Sequence, residues 1–195
     1  MAEYDIYYCR VNNMRACRSF ILPITLIMLV WVLTACGQMA PPDKLVEGRP
    51  FPAVVLTGFD GERQALDDYR GRFVILNIWA TWCPPCRAEL PSLDRLNNAL
   101  DPEKFVVIGL SVDSDRDIAW EFYRDRGVQF TSFIDPDGKI SKDILGIRVY
   151  PDTFLISPQG KLIRRIVGER VWDDPAMIDA LNKAYAGDTA LLEKI

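Results

Sequence analysis

Residues 79–91 read WATWCPPCRAELP, with Cys83 and Cys86 separated by two prolines. Immediately upstream, Phe73–Trp79 (FVILNIW) is nearly continuous apolar sequence rich in β-branched and aromatic residues, the composition of a strand buried on both faces. Downstream, Leu90, Leu93, Leu96 and Leu100 recur every three or four residues, which predicts a helix with one apolar stripe. Residues 105–110 (FVVIGL) form a second run of the buried-strand type. Strand, helix and strand in that order make a βαβ unit, which implies parallel pairing through a right-handed crossover. The cysteine pair therefore falls where a buried strand hands over to a helix.

Outward from this unit, residues 54–56 and 64–66 flank a turn at Asp60-Gly61 and predict a β-hairpin. Residues 115–126 place Ile118, Ala119, Phe122 and Tyr123 on one helical face, closed by Gly127. A strand over 130–134 leads into Asp135-Pro136-Asp137-Gly138, where turn roles explain the aspartates, as one does for Asp60. Two apolar runs, 153–156 and 161–167, flank Ser157-Pro158-Gln159-Gly160 as a second hairpin. Pro175–Tyr185 reads as a closing helix with its proline in the first turn. Residues 49–187 thus make one α/β domain, followed by a frayed tail over 188–195. A chain of 195 residues suits a single core better than two.

The N-terminal portion has another character. Residues 19–35 (SFILPITLIMLVWVLTA) are apolar and uncharged, follow Arg10, Arg15 and Arg18, and end in small residues, which is the pattern of an export signal. The run is shorter than the roughly 20 residues that span a bilayer comfortably. Leu33-Thr34-Ala35-Cys36 resembles the lipobox of bacterial lipoproteins, whose signal is cut before a cysteine that then carries acyl chains, so Cys36 is the expected lipidation site. The alternative is an uncleaved anchor over 1–35; either places the domain outside the cytoplasm, in the bacterial cell envelope. Glu3 and Asp5 do not suit an export signal, whereas Met14 opens a compact basic leader, so residues 1–13 read as a mis-assigned start. Residues 36–48, with two prolines and no periodicity, read as the lipidated cysteine and a tether.

Composition narrows the chemistry. The net charge of −4 and the absence of a lysine/arginine-rich run argue against nucleic acid as a partner. Five cysteines are present and no histidine. Cys9 and Cys17 precede the export run, which leaves Cys83 and Cys86 as the thiols of the domain. A structural zinc site needs four ligands, and two thiols without imidazole do not supply them; a two-thiolate Cu(I) site stays open, although no metal is expected. A purely structural disulfide across so short a loop stabilises little. Redox use is the reading favoured. Cys83 falls at the helix N-terminus, where unpaired amides and the dipole favour a thiolate. Cys86 lies one turn further in and more buried. An outer sulfur that attacks and an inner one that resolves is the arrangement disulfide exchange requires.

On WATWCPPCRAELP the chain resembles the membrane-anchored thioredoxins of the TlpA/ResA/CcmG group, and the resemblance extends over residues 50–186. Residues 66–71 (LDDYRG) are similar to that group's linker before the buried strand. Residues 109–113 with the following helix correspond to its inserted β-α element, and residues 150–155 (YPDTFL) to its cis-proline loop. The resemblance implies a thioredoxin-like fold with an N-terminal β-hairpin and an inserted β-α element. It further implies a protein-disulfide reductase needing no cofactor beyond a redox-active Cys83–Cys86 disulfide. Protein disulfides would be its substrates, apocytochrome c or oxidase copper sites its usual clients, and a membrane thiol carrier its electron donor. Pro151 and Tyr150 would hold the substrate backbone, with Trp82 and Pro84 at the rim; the plainer alternative is that Tyr150-Pro151 is an ordinary turn. Glu89 occupies a position where the group often has a carboxylate near the thiols; if buried, desolvation and the nearby thiolates would raise its pKa and let it exchange a proton with Cys86, whereas the plainer alternative is a surface glutamate complementing the helix dipole. Asn77 stands where cytoplasmic thioredoxin has a buried aspartate and cannot titrate. Two rival functions are a peroxiredoxin-like thiol peroxidase, whose Thr-x-x-Cys spacing TWCPPC lacks, and a non-catalytic peptide-binding module.

Overall fold

The computed structural model describes residues 45–194. The export run, the Met14 start, Cys9, Cys17 and Cys36 lie outside them. Among the described residues no helix is long and apolar enough to cross a membrane.

The predicted hairpin is present as β1 (Val55–Gly58) and β2 (Arg63–Ala65), antiparallel. Gly61 turns it with φ at +90°, a backbone region that side-chain-bearing residues avoid. The βαβ unit is also present. β3 (Phe73–Trp79) runs parallel to β4 (Phe105–Ser111), joined by α1 (Pro84–Ala99). After α2 (Arg116–Asp125) comes β5 (Thr131–Ile134), parallel to β4 and antiparallel to β1. β6 (Asp152–Ile156) and β7 (Leu162–Val167) form the second hairpin, with β6 antiparallel to β3. α3 (Pro175–Tyr185) follows. One sheet results, in the order β2-β1-β5-β4-β3-β6-β7.

β3 is central, and every one of its seven residues is buried. Alternation along the strand sends Phe73, Ile75 and Trp79 to a core shared with Leu90, Leu93 and Leu96 of α1 and Leu181 of α3. Val74, Leu76 and Ile78 go to a second core with Leu56, Leu66 and Phe154. Asn77 therefore shares the α1 face with Ile75 and Trp79. Gly109, on β4 beside it, admits no side chain. A Cβ there would lie 2.6 Å from Ser132 Oγ and 2.9 Å from Trp79 Nε1. Those two atoms are themselves hydrogen-bonded, Trp79 Nε1 donating to Ser132 Oγ at 3.1 Å. Gly109→Ala is expected to lower stability by roughly 1–3 kcal/mol through overpacking, seen as a lower urea midpoint with an unchanged slope.

Three expectations are corrected. Ile118 is 57% exposed; α2 buries a narrow Ala119/Tyr123 stripe, and Ile118 lies on the helix side turned away from it. Residues 188–195 do not read as a frayed tail throughout, because Leu192 in a short 3-10 helix is buried in the same core as α3. The end of the tether belongs to the fold as well. Gly48 N donates to Leu162 O (2.7 Å), Leu162 N to Arg49 O (2.9 Å) and Phe51 N to Gly160 O (2.8 Å). These bonds cover the start of an edge strand whose backbone groups would otherwise lack partners. Asp135 adds to its turn role by accepting from Ile140 N, Ser141 N and Ser141 Oγ.

Candidate active site

The chain leaves β3 at Trp79 and turns at once, with Cys83 N donating to Ala80 O at 3.3 Å. Cys83 is the N-cap of α1, and its sulfur accepts from Cys86 N at 3.3 Å. Pro84 and Pro85 fill the first helical positions, where a missing N–H leaves nothing unsatisfied and the fixed φ already suits a helix. One turn of helix brings the two Cα atoms within 5.3 Å, and the sulfurs are joined in a disulfide. These are the sole cysteines among the described residues. No described cluster of three or more His, Cys, Asp or Glu is placed to hold a metal ion.

The contrast between outer and inner sulfur is smaller than expected. Cys83 is 4% exposed and Cys86 0%. Both belong to the core on the α1 face, against which Tyr150 also packs. Tyr150 meets the ring of Trp82 edge-on at 5.7 Å, while Trp82 itself is 59% exposed and Pro84 lies open beside it. The Tyr150-Pro151 bond is cis. Register explains how this loop reaches the cysteines. Asp152 pairs with Ile78, so Pro151 lies level with the end of β3 from which the cysteine turn departs. Gly168 N fixes the loop by donating to Pro151 O at 2.8 Å. The carboxylate of Asp152, fully buried, accepts from Arg165 Nε at 3.0 Å and Nη2 at 2.5 Å. Two separate stretches of chain thus meet beside the cysteine turn, Trp82 against Tyr150, with Pro151 next in sequence.

Glu89 is 1% exposed, which overturns the surface-glutamate alternative. Its Oε1 accepts from Asn77 Nδ2 at 2.7 Å, and its Oε2 from Trp172 Nε1 at 3.0 Å and Arg170 N at 3.1 Å. Burial pushes its pKa up to about 7, against the opposing pull of the Trp172 and Asn77 hydrogen bonds. All three donors are neutral, so no cation offsets the loss of water. Glu89 follows Cys86 by three residues on the same face of α1. Asn77 Nδ2 also donates to Thr153 Oγ1 at 2.9 Å, which links the carboxylate to β6 just beyond Pro151. Trp172, the Arg170 amide and Thr153 were missed by sequence reasoning. Trp172 is 83 positions from Glu89, and nothing in GERVWDD marks it as a partner.

The chain is similar to several thiol-disulfide oxidoreductases and interchange proteins. The chain is 32% identical over 106 residues to the thiol-disulfide oxidoreductase ResA of Bacillus cereus, a match covering 54% of this chain and 61% of that protein's length. It is 32% identical over 138 residues to the thiol:disulfide interchange protein DsbE of Pseudomonas aeruginosa, covering 68% of this chain and 74% of that protein. A crystal structure assigned as DsbE from Chlorobium tepidum superposes with a TM-score of 0.63 at 30% identity, covering 76% of this chain and 99% of that one. The family model described as AhpC/TSA matches residues 48–165, from the docked end of the tether through most of β7. On that span the chain belongs to the AhpC/TSA family, as a thioredoxin-fold relative of ResA and DsbE.

Proposed function

We propose that this protein is an exported thiol-disulfide oxidoreductase that reduces disulfides in other extracytoplasmic proteins. The observation that carries the reading is the Cys83–Cys86 disulfide at the N-cap of α1, beside the Trp82/Tyr150 rim. The names of its ResA and DsbE relatives support it.

In the reduced enzyme the Cys83 thiolate attacks one sulfur of a substrate disulfide. A mixed disulfide forms, and the substrate's other sulfur leaves as a thiolate. The Cys86 thiol then gives its proton to the Glu89 carboxylate and attacks Cys83 Sγ. This closes the Cys83–Cys86 bond and releases the second substrate thiolate, so two electrons pass from the pair to the substrate. Trp82, Pro84, Tyr150 and Pro151 hold the substrate strand during these steps. No cofactor beyond the cysteine pair takes part. A membrane thiol carrier returns the electrons, and Cys36 carries the lipid that keeps the domain at the envelope membrane. Apocytochrome c and oxidase copper sites, whose cysteines must be reduced before haem or copper is added, are the proposed clients.

The test equilibrates the protein with glutathione buffers and then offers the reduced form an oxidised protein. The expected potential lies nearer thioredoxin's, about −270 mV, than the roughly −120 mV of a strong oxidant, with stoichiometric transfer to the substrate. A value at the oxidising end overturns the reductive direction. Rapid conversion of a single thiol to sulfenate by peroxide, without protein-disulfide reduction, favours the peroxidase alternative instead.

A further inference from the structure

A second buried carboxylate sits behind the cysteine turn. Asp113, just past the end of β4, is 4% exposed. Its Oδ2 accepts from Thr81 N at 3.0 Å and Ser111 Oγ at 2.7 Å, and its Oδ1 from Thr81 Oγ1 at 2.6 Å. Asp113 N in turn donates to Ser111 Oγ at 3.1 Å, which fixes the carboxylate's own backbone. No cation pairs with it among the described residues; every donor is neutral, and two of them belong to one residue of the cysteine turn. A buried carboxylate without a counterion depends on such hydrogen bonds, so Asp113 and Thr81 are tied to one another.

Thr81 is the residue on which that turn pivots. The turn closes through Cys83 N and Ala80 O, with Thr81 and Trp82 between them. Val112 N donates to Trp79 O at 2.9 Å, so the segment just past β4 grips the chain immediately before the turn while Asp113 grips it within. Beyond that clamp Trp82 emerges into solvent, and Cys83 takes the N-cap conformation, φ −97° and ψ 103°, that aims its sulfur at Cys86 N.

We propose that Asp113 is a positioning residue for disulfide exchange, acting through Thr81 to hold the Cys83 sulfur at the α1 N-terminus. The inference rests on the exchange reading above. With the clamp in place, the Cys86 N–H, the first amide hydrogen of α1 after Pro84 and Pro85, faces the attacking sulfur from the start and needs no reorganisation. With Thr81 released, the turn rotates, and the sulfur spends part of its time away from that donor. The group responsible stands just past β4, outside the cysteine segment.

Reduced wild type, Thr81→Ser, Thr81→Val, Asp113→Asn and the Thr81→Val/Asp113→Asn double variant are compared in three measurements. These are the rate of attack on an oxidised protein, the pH profile of Cys83 alkylation, and the thermal midpoint. Thr81→Ser keeps the hydroxyl and should match wild type. Thr81→Val should slow attack about tenfold, the worth of one hydrogen bond to a charged group. Its alkylation profile should move to higher pH. Asp113→Asn should slow attack to a similar degree, and the double variant should be no slower than the slower single one. Equal rates and profiles for Thr81→Ser and Thr81→Val overturn the proposal, even if melting temperatures differ; so do additive single effects. Failure of the wild type itself to exchange disulfides would instead sink the underlying function. Should Asp113→Asn not fold, the Thr81 pair still decides.

Discussion

Cys83→Ala is expected to abolish protein-disulfide reduction, and Cys86→Ala to leave the first half of the reaction running and stop the second. Only the Cys83 sulfur caps the helix and accepts from an α1 amide, whereas Cys86 is wholly buried in the core. Without Cys83 there is no sulfur at the N-cap for substrate to meet, and turnover falls to the uncatalysed rate. Without Cys86 the attack still occurs, but nothing displaces the substrate from Cys83, and a mixed disulfide accumulates at one equivalent per enzyme. Mass spectrometry of the intact Cys86→Ala protein after mixing with an oxidised client checks this and identifies the client. Attachment through position 86 in a Cys83→Ala variant, at a comparable rate, would reverse the assignment of attacking and resolving sulfurs.

Glu89→Gln is expected to flatten the pH dependence of both stability and turnover near neutrality. Burial raises the Glu89 pKa to about 7 in the folded protein, above the ordinary glutamate value of 4.5. Between those two pH values the native state keeps a proton that the unfolded chain has released. Stability from this group is therefore fully present below about pH 4.5 and is lost as pH rises through about 7. The linked change is on the order of 3 kcal/mol across that window. Glutamine cannot titrate, so the wild-type decline between pH 5 and 8 should largely disappear in urea titrations of the variant. The substitution also carries a cost at low pH. A glutamine amide placed against the Arg170 N–H and Trp172 Nε1 donors loses an acceptor, at about 1–3 kcal/mol. Turnover should lose an inflection near pH 7 if Glu89 accepts the Cys86 proton; an unchanged profile in the variant removes Glu89 from the proton path and leaves it a structural group.

Much of the architecture was written locally. FVILNIW could only be a strand with both faces covered, the leucine spacing after the cysteines could only close on a helix stripe, and Asp60-Gly61 marked a turn. Each of these depends on neighbours within a few residues, which is the range over which periodicity and turn chemistry act. Residues whose role depends on a distant partner were less legible. Ile118 looked like a core residue because its helix face was inferred without knowing where the sheet edge lay. Residues 45–48 looked like free tether because an edge strand waiting to be covered, here β7, leaves no mark on the segment that covers it. Leu192 was hidden in the same way, its packing surface being supplied by elements far earlier in the chain.

The sequence alone determined the cysteine pair and its position at a strand-to-helix junction, which follow from residue type and short-range spacing; the thioredoxin-like fold and the Tyr150-Pro151 loop were legible through the resemblance of WATWCPPCRAELP and YPDTFL to the TlpA/ResA/CcmG group. The tertiary structure alone decided that Glu89 is buried, that Trp172 and Asn77 hold it, and that Asp113 reaches Thr81 from the segment just past β4. A carboxylate's solvation and partners are set by whatever the fold packs against it, and pairing β3 with β4 and β6 is what brings those distant residues to the cysteines.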